Sequence, residues 1–141
     1  MRVLIAIDGS DASKMAVRSL IDHVSWFRER PELHLLHVHP PVPVGLATRH
    51  VGHDVLEHYY REESEAALAA ARALFDAAKL PYTLHIHVGE PALTIVKVAG
   101  ELACDLISLG NHGRGALPNA LLGSVATKVL HLTSIPVLLS K

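Results

Sequence analysis

Short apolar runs alternate along this chain with longer segments in which apolar residues recur every three or four positions. Residues 3–7 are apolar at every position, which is typical of a strand covered on both faces of a sheet. The ranges 33–38, 82–88, 106–109 and 136–139 are similar short runs. The pattern therefore predicts five strands.

The segments between the predicted strands have the period of amphipathic helices. One helix is predicted to begin near Asp11, with an apolar stripe that reaches Phe27, and a second to cover 55–79. A third begins at about Pro91, a residue suited to the first turn of a helix, and a fourth covers 124–132. Strand and helix thus alternate along the whole chain.

This alternation predicts the fold class. Strict β-α-β order implies an α/β protein with a parallel sheet, right-handed crossovers and helices on both faces. We expect one doubly wound domain that covers residues 1–141. Such sheets bind ligands at the carboxyl ends of their strands, where neighbouring crossovers leave in opposite directions. The loops after the first and fourth strands are expected to flank that crevice.

Charge and cysteine content exclude several functions. The chain has 13 Lys plus Arg and 14 Asp plus Glu without long runs of either sign, which argues against nucleic acid as a partner. Its single cysteine, Cys104, cannot form an intrachain disulfide, and we expect it to be buried. The apolar run at the amino terminus is too short for a signal peptide or a membrane span. We therefore expect a cytoplasmic protein that does not insert into membranes.

The segment after the fourth strand carries the candidate chemistry. Gly110 and Gly113 are expected to adopt backbone conformations closed to other residues and to approach a ligand closely. Gly123 and Ser124 lie at the predicted start of the last helix, where unpaired amides and the helix dipole favour a phosphate. Two such elements at the ends of one loop suit a di- or triphosphate. Motifs of P-loop and dinucleotide-binding proteins are absent from the sequence.

The spacing of Gly110, Gly113, Gly123 and Ser124 resembles the nucleotide-binding signature of the ATP-binding branch of the universal stress protein family. The resemblance is to UspA-like members of the single-domain bacterial type, and it covers essentially the whole chain. Further matching motifs lie at 3–10, 89–91, 104–110 and 136–139. The family's fold is a five-stranded parallel sheet with strand order 3-2-1-4-5.

The resemblance implies a cofactor and a set of binding residues. The cofactor would be ATP, or else ADP or AMP, with Mg or Mn as an open question. Asp8 would bind the adenine or ribose side, and Val38 would hold the adenine edge through its backbone. The full set implied by the family is Ala6, Ile7, Asp8, Val38, Gly110, His112, Gly113, Arg114, Gly123, Ser124 and Val125.

Some of these residues also have a simpler interpretation. The alternative roles are a turn for Asp8 and an exposed surface position for Arg114, and nearby Ser10 is better suited to capping the first helix than to binding a ligand. The sequence leaves these alternatives open.

Histidine is unusually frequent, with 11 copies. His37 and His39 are two apart on the second predicted strand, as His85 and His87 are on the third, and residues two apart share a face. One possibility is a cluster that binds zinc or nickel. The alternative is that each imidazole bonds to backbone or water. We assign no metal ligands.

The resemblance implies a stress-response regulatory protein that acts as a nucleotide-dependent sensor or switch. Many members dimerise through the last strand, which implies a homodimer interface at Pro136, Val137, Leu138 and Leu139. One alternative is slow ATP hydrolysis or phosphate transfer, but no well-placed pair of carboxylates accompanies Asp8, and we assign no catalytic residue. Another alternative is a dimeric interaction module that binds no nucleotide.

Overall fold

A computed structural model describes residues 1–43, 52–113 and 122–141. The strands are β1 (Arg2–Ala6), β2 (Glu32–His39), β3 (Tyr82–Val88), β4 (Leu106–Gly110) and β5 (Val137–Ser140). The helices are α1 (Asp11–Asp22), α2 (His53–Ala77), α3 (Pro91–Glu101) and α4 (Ser124–Leu132), with a 3-10 turn at Val24–Trp26. These bounds confirm every predicted strand and all but the first predicted helix to within two residues.

The five strands form one parallel sheet in the order β3-β2-β1-β4-β5, as predicted. The chain builds outward from β1 to β3 on one side and then returns to place β4 and β5 on the other. The direction of winding therefore changes between β1 and β4. In a doubly wound sheet, a crevice at the carboxyl ends of the strands opens at this point.

Helices cover both faces of the sheet, which explains why every residue of β1 after Arg2 is apolar. Val3 and Ile5 pack with residues of α1 and α2 in one buried cluster. Leu4, which points to the opposite face, packs with residues of α3 and α4 in the other. All three side chains have no exposed surface. Each of these three residues thus contributes to one of two cores.

The first predicted helix is too long. α1 ends at Asp22, and His23 follows it with its Nδ1 2.7 Å from the carbonyl oxygen of Ser19. The 3-10 turn comes next, and it presents the Trp26 side chain to solvent at 77% exposure. The 3-10 turn places Phe27 against the same core cluster that α1 contacts. The apolar spacing in the sequence therefore extends beyond Asp22, although the α-helix ends there.

The structure also bears on the cysteine and on the expectation about membranes. Cys104 is buried, as predicted, and this burial raises the pKa of its thiol. Among the residues described, no helix is both long and apolar enough to cross a membrane.

Candidate functional site

A cleft of about 710 Å³ opens at the carboxyl ends of β1, β2 and β4. Ten of the eleven residues assigned from the sequence line it: Ala6, Ile7, Asp8, Val38, Gly110, His112, Gly113, Gly123, Ser124 and Val125. Arg114 lies outside the described residues. The fold thus brings together side chains and backbone from four separate parts of the chain.

The backbone of Val38 faces the cleft because β1 ends before it can pair with this residue. The last backbone hydrogen bond between the first and second strands runs from the Ile7 amide to the Leu36 carbonyl, at 2.8 Å. Backbone groups along a central parallel strand alternate between its two neighbours. His39 bonds toward the β3 side, where its carbonyl accepts from Gly89 at 3.0 Å. The backbone amide and carbonyl of Val38 therefore point toward the space beyond the end of β1.

Asp8 directly follows this last rung and is held in a fixed orientation. Its Oδ1 accepts hydrogen bonds from the Ser10 amide at 2.9 Å and from the Ser10 hydroxyl at 2.5 Å. The Ser10 hydroxyl oxygen also accepts from the Ser13 amide, so Ser10 caps α1 as predicted. Asp8 is therefore a turn residue, and its carboxylate also lines the cleft.

The glycines of the cleft serve close approach rather than unusual backbone angles. Among the described glycines, a positive φ occurs at Gly9, with 79°. The expectation that Gly110 and Gly113 adopt conformations closed to other residues is therefore wrong. A Cβ on Gly110 would lie 2.6 Å from the Ala12 carbonyl carbon, and one on Gly113 would lie 2.8 Å from Asp8 Oδ2. Gly110 therefore needs glycine because it lies against backbone, whereas a side chain at Gly113 would displace the Asp8 carboxylate.

The two sides of the glycine-rich segment meet at Gly123. Its amide donates to the Asn111 carbonyl at 2.7 Å, and a Cβ there would lie 3.2 Å from the His112 Cα. The expectation that the Gly123 amide is unpaired and available to a phosphate is therefore wrong. Amides that could bind an anion at this helix start therefore belong to the residues that follow Gly123.

Those amides belong to Ser124, Val125 and Ala126, the first turn of α4. Gly123 is the N-cap residue and has no side chain to cap them, and the first helical bond runs from the Thr127 amide to the Gly123 carbonyl at 2.9 Å. The three preceding amides have no acceptor within the helix. All three residues line the cleft. The positive end of the helix dipole therefore faces the cleft with amides that have no acceptor within the described parts of the chain.

A third wall of the cleft comes from α2 and was missed by sequence reasoning. Tyr59 and Glu63, four residues apart on this helix, line the cleft together with His37 and His39. The rings of His39 and Tyr59 meet edge to face with 5.6 Å between centroids. The spacing of 59 and 63 indicates a shared helix face. Nothing local in the sequence indicates that this face meets the end of β2.

The strand histidines do not form the four-membered cluster that the sequence left open. The β2–β3 register offsets the pair His37 and His39 by one residue from the pair His85 and His87, so the two pairs lie on opposite faces of the sheet. His34 contacts His85 instead, with 3.1 Å between Nδ1 and Nε2. Burial lowers the pKa of His85, as do the neighbouring His34 and His87. In the described parts of the chain, no group of three or more His, Cys, Asp or Glu is arranged to hold a metal ion.

A parallel sheet with a cleft at its point of reversal places the protein in the class of doubly wound α/β folds, which bind ligands at this position. The sequence profile of the universal stress protein family matches residues 1–141, and the chain belongs to this family.

Two of the similar curated proteins match this chain over nearly their whole length, and a third is about twice as long. The stress response protein NhaX of Bacillus subtilis is 26% identical over 161 residues, covering 99% of this chain and 97% of the relative. The universal stress protein YxiE of the same organism is 31% identical, covering 98% and 97%. The universal stress protein Rv2005c of Mycobacterium tuberculosis is 31% identical, but this chain spans only 45% of its length.

Solved structures share the fold. The hypothetical protein MJ0577 is 26% identical with a TM-score of 0.83, covering 99% of this chain and 94% of that one. A universal stress protein was solved in complex with cAMP, at 24% identity, a TM-score of 0.68 and coverage of 100% and 96%. One from Archaeoglobus fulgidus was solved with dAMP, at 21% identity, a TM-score of 0.68 and coverage of 100% and 98%.

Proposed function

We propose that this protein binds an adenine nucleotide in the cleft and acts as a nucleotide-dependent sensor or switch in a cytoplasmic stress response. The carrying observation is that three complementary groups line one cleft of about 710 Å³: the backbone of Val38, the carboxylate of Asp8 and the first turn of α4. ATP, ADP and AMP share the parts that these groups would recognise. The bound cAMP and dAMP of related folds are consistent with this ligand class.

In this proposal, the base lies at the ends of β1 and β2. The amide and the carbonyl of a single residue point to the same side of an extended strand, and together they match the donor and acceptor pattern of an adenine edge. Val38 presents such groups toward the gap, and Ala6 and Ile7 provide apolar surface beside it. Asp8 would accept a hydrogen bond from the ribose or from the base.

The phosphates would lie against the first turn of α4. The amides of Ser124 and Val125 and the Ser124 hydroxyl would donate to phosphate oxygens there. Gly110, His112 and Gly113 would contact the ribose and the inner phosphates, and we propose Arg114 as a further phosphate contact. A divalent ion, Mg or Mn, would neutralise part of the charge on a triphosphate.

The regulatory part of the proposal uses the contact between the cleft and the edge of the sheet. The Asn111 amide, beside the cleft, donates to the Ser140 carbonyl of β5 at 2.8 Å. We propose a homodimer through β5 and the preceding residue, with Pro136, Val137, Leu138 and Leu139 in the interface. A nucleotide that orders the backbone at 110–113 would then act on the dimer interface through this bond.

The first test is binding, measured by titration calorimetry with ATP, ADP, AMP and GTP. Gly113→Val should abolish adenine nucleotide binding, because even its Cβ would fall 2.8 Å from Asp8 Oδ2. Gly100→Val is the matched control, since a Cβ at Gly100 meets nothing within 4 Å. Equal affinities of these two variants, or no binding by the wild-type protein, would contradict the proposal.

Three further measurements separate a sensor from an enzyme and from a module that binds no nucleotide. Mass spectrometry of the denatured protein should find a co-purified adenine nucleotide. Light scattering with and without nucleotide should show a change in dimer stability. Phosphate release faster than about one per second in the presence of Mg would instead indicate an enzyme.

A further inference from the structure

We infer that His37 is a positioning residue for the base: its imidazole binds the Ile7 carbonyl and thereby leaves the Val38 amide available to a ligand. This inference rests on the proposed function, because the ligand it concerns is an adenine nucleotide. It assigns a role to a buried histidine of the cleft that lies outside the glycine signature.

The imidazole lies between the ends of two strands. His37 is 4% exposed and lines the cleft, and its Nδ1 is 2.7 Å from the Ile7 carbonyl oxygen. A carbonyl oxygen can only accept a hydrogen bond, so Nδ1 carries the proton and donates. The side chain of a β2 residue therefore bonds to the backbone of the chain leaving β1.

This bond replaces a rung of the sheet. In the β1–β2 register Ala6 is opposite Leu36, and the Ile7 amide donates to the Leu36 carbonyl. In a parallel ladder the next bond would run from the Val38 amide to the Ile7 carbonyl. That carbonyl is instead the acceptor of the His37 Nδ1–H, and no rung from the Val38 amide to Ile7 is present among the described backbone bonds.

The consequence follows from the cost of leaving a buried carbonyl without a donor. If the side chain at 37 could not donate, the nearest donor in register with the Ile7 carbonyl would be the Val38 amide. The sheet would then gain one rung, and the backbone edge proposed to read adenine would be occupied by protein. His37 keeps the sheet open at the position where the base would bind.

The test compares His37→Asn with His37→Leu. The Nδ2 of Asn occupies a position similar to that of His Nδ1 and donates, whereas Leu has similar bulk and no donor. We expect His37→Asn to bind ATP within about threefold of wild type, and His37→Leu to bind about tenfold more weakly, the effect of losing about one hydrogen bond. The preference for ATP over GTP should fall in His37→Leu alone.

Amide hydrogen exchange gives a readout that does not require nucleotide. The Val38 amide should exchange rapidly in the wild-type protein and in His37→Asn, and slowly in His37→Leu, where it would donate to Ile7. Slow exchange of this amide in the wild-type protein would overturn the inference, as would equal ATP affinity and base preference in Asn and Leu variants. If the wild-type protein binds no adenine nucleotide, the proposed function and the role of His37 toward the base both fail, whatever the exchange pattern. If it binds ATP but the Asn and Leu variants do not differ, the role of His37 alone fails.

Discussion

Each of the four helices follows a parallel strand and begins on the carboxyl side of the sheet, and the helices differ in how their first turns are capped. At α1 the Ser10 hydroxyl accepts from the Ser13 amide, and at α3 the Glu90 carboxylate accepts from the Leu93 amide at 2.7 Å. At α4 the N-cap is Gly123, which has no side chain to do the same. α2 also lacks a side-chain cap, but its first turn does not line the cleft.

The difference separates helix starts that stabilise the fold from one that is suited to a ligand. A side-chain cap satisfies one of the orphan amides of a helix and contributes about 1 kcal/mol to stability. A glycine N-cap gives up that contribution and leaves the amides of the first turn accessible. α4 combines such an N-cap with a position in the cleft. The comparison therefore supports α4 as the helix start at which phosphate binding is proposed, and it indicates a structural role for the caps of α1 and α3.

The largest expected effect comes from giving α4 a cap of its own. Gly123→Asp and Gly123→Asn each place a capping oxygen at the helix start, and both crowd His112 equally. Only Asp adds a negative charge beside the proposed phosphates. Affinity for ATP, measured by calorimetry, should fall about a hundredfold in the Asp variant and about tenfold in the Asn variant. Equal affinities in the two variants would place the phosphates elsewhere.

A smaller effect is expected at α1, where the cap also orients a cleft residue. Ser10→Ala removes two hydrogen bonds of the hydroxyl group: the capping bond from the Ser13 amide and the bond to Asp8. Unfolding in urea should show a loss of about 1 kcal/mol, and ATP affinity should fall about fivefold because Asp8 is less constrained. Ser10→Thr keeps the hydroxyl and should restore both quantities. A stability loss without any loss of affinity would show that Asp8 does not contact the nucleotide.

At α3 we expect a change in stability alone. Glu90→Ala removes the side chain that caps this helix and that also bonds to Lys128 Nζ at 3.2 Å. The free energy of unfolding should fall by about 1 kcal/mol. ATP affinity should stay within about twofold, because Glu90 does not line the cleft. Lys128→Ala separates the ion pair from the cap. A large loss of affinity in Glu90→Ala would remove the distinction between α3 and α4.

The sequence predicts the elements of this fold because each leaves a local periodic pattern. The position of the cleft follows from the same pattern, since the ends of parallel strands meet at one edge, whereas ten of its lining residues are assigned through the resemblance to the family. The sequence does not predict the features of the site that depend on a one-residue difference in strand register or on contacts between distant elements. The opposite faces of His37 and His85 are one example, and the Asn111 bond that uses the Gly123 amide is another. The α2 wall with Tyr59 also depends on how a helix packs, which no local motif encodes.

The smallest effect expected is a dependence of the α3 cap on pH. The hydrogen bond from the Leu93 amide, together with Lys128, lowers the pKa of Glu90 below its ordinary value of 4.5, against a smaller opposing effect of desolvation. A carboxyl whose pKa is lower in the folded state stabilises the fold fully above its unfolded pKa and loses this contribution as the pH falls through the folded value. The difference in unfolding free energy between wild type and Glu90→Gln should therefore be constant above pH 4.5 and shrink below it. Gly123→Asn gives α4 a cap that does not titrate, so its difference from wild type should not vary with pH in this range. Urea unfolding of the three proteins across this range would test both statements, and a difference for Glu90→Gln that stays constant into the acid range would show that its charge does not contribute to the cap.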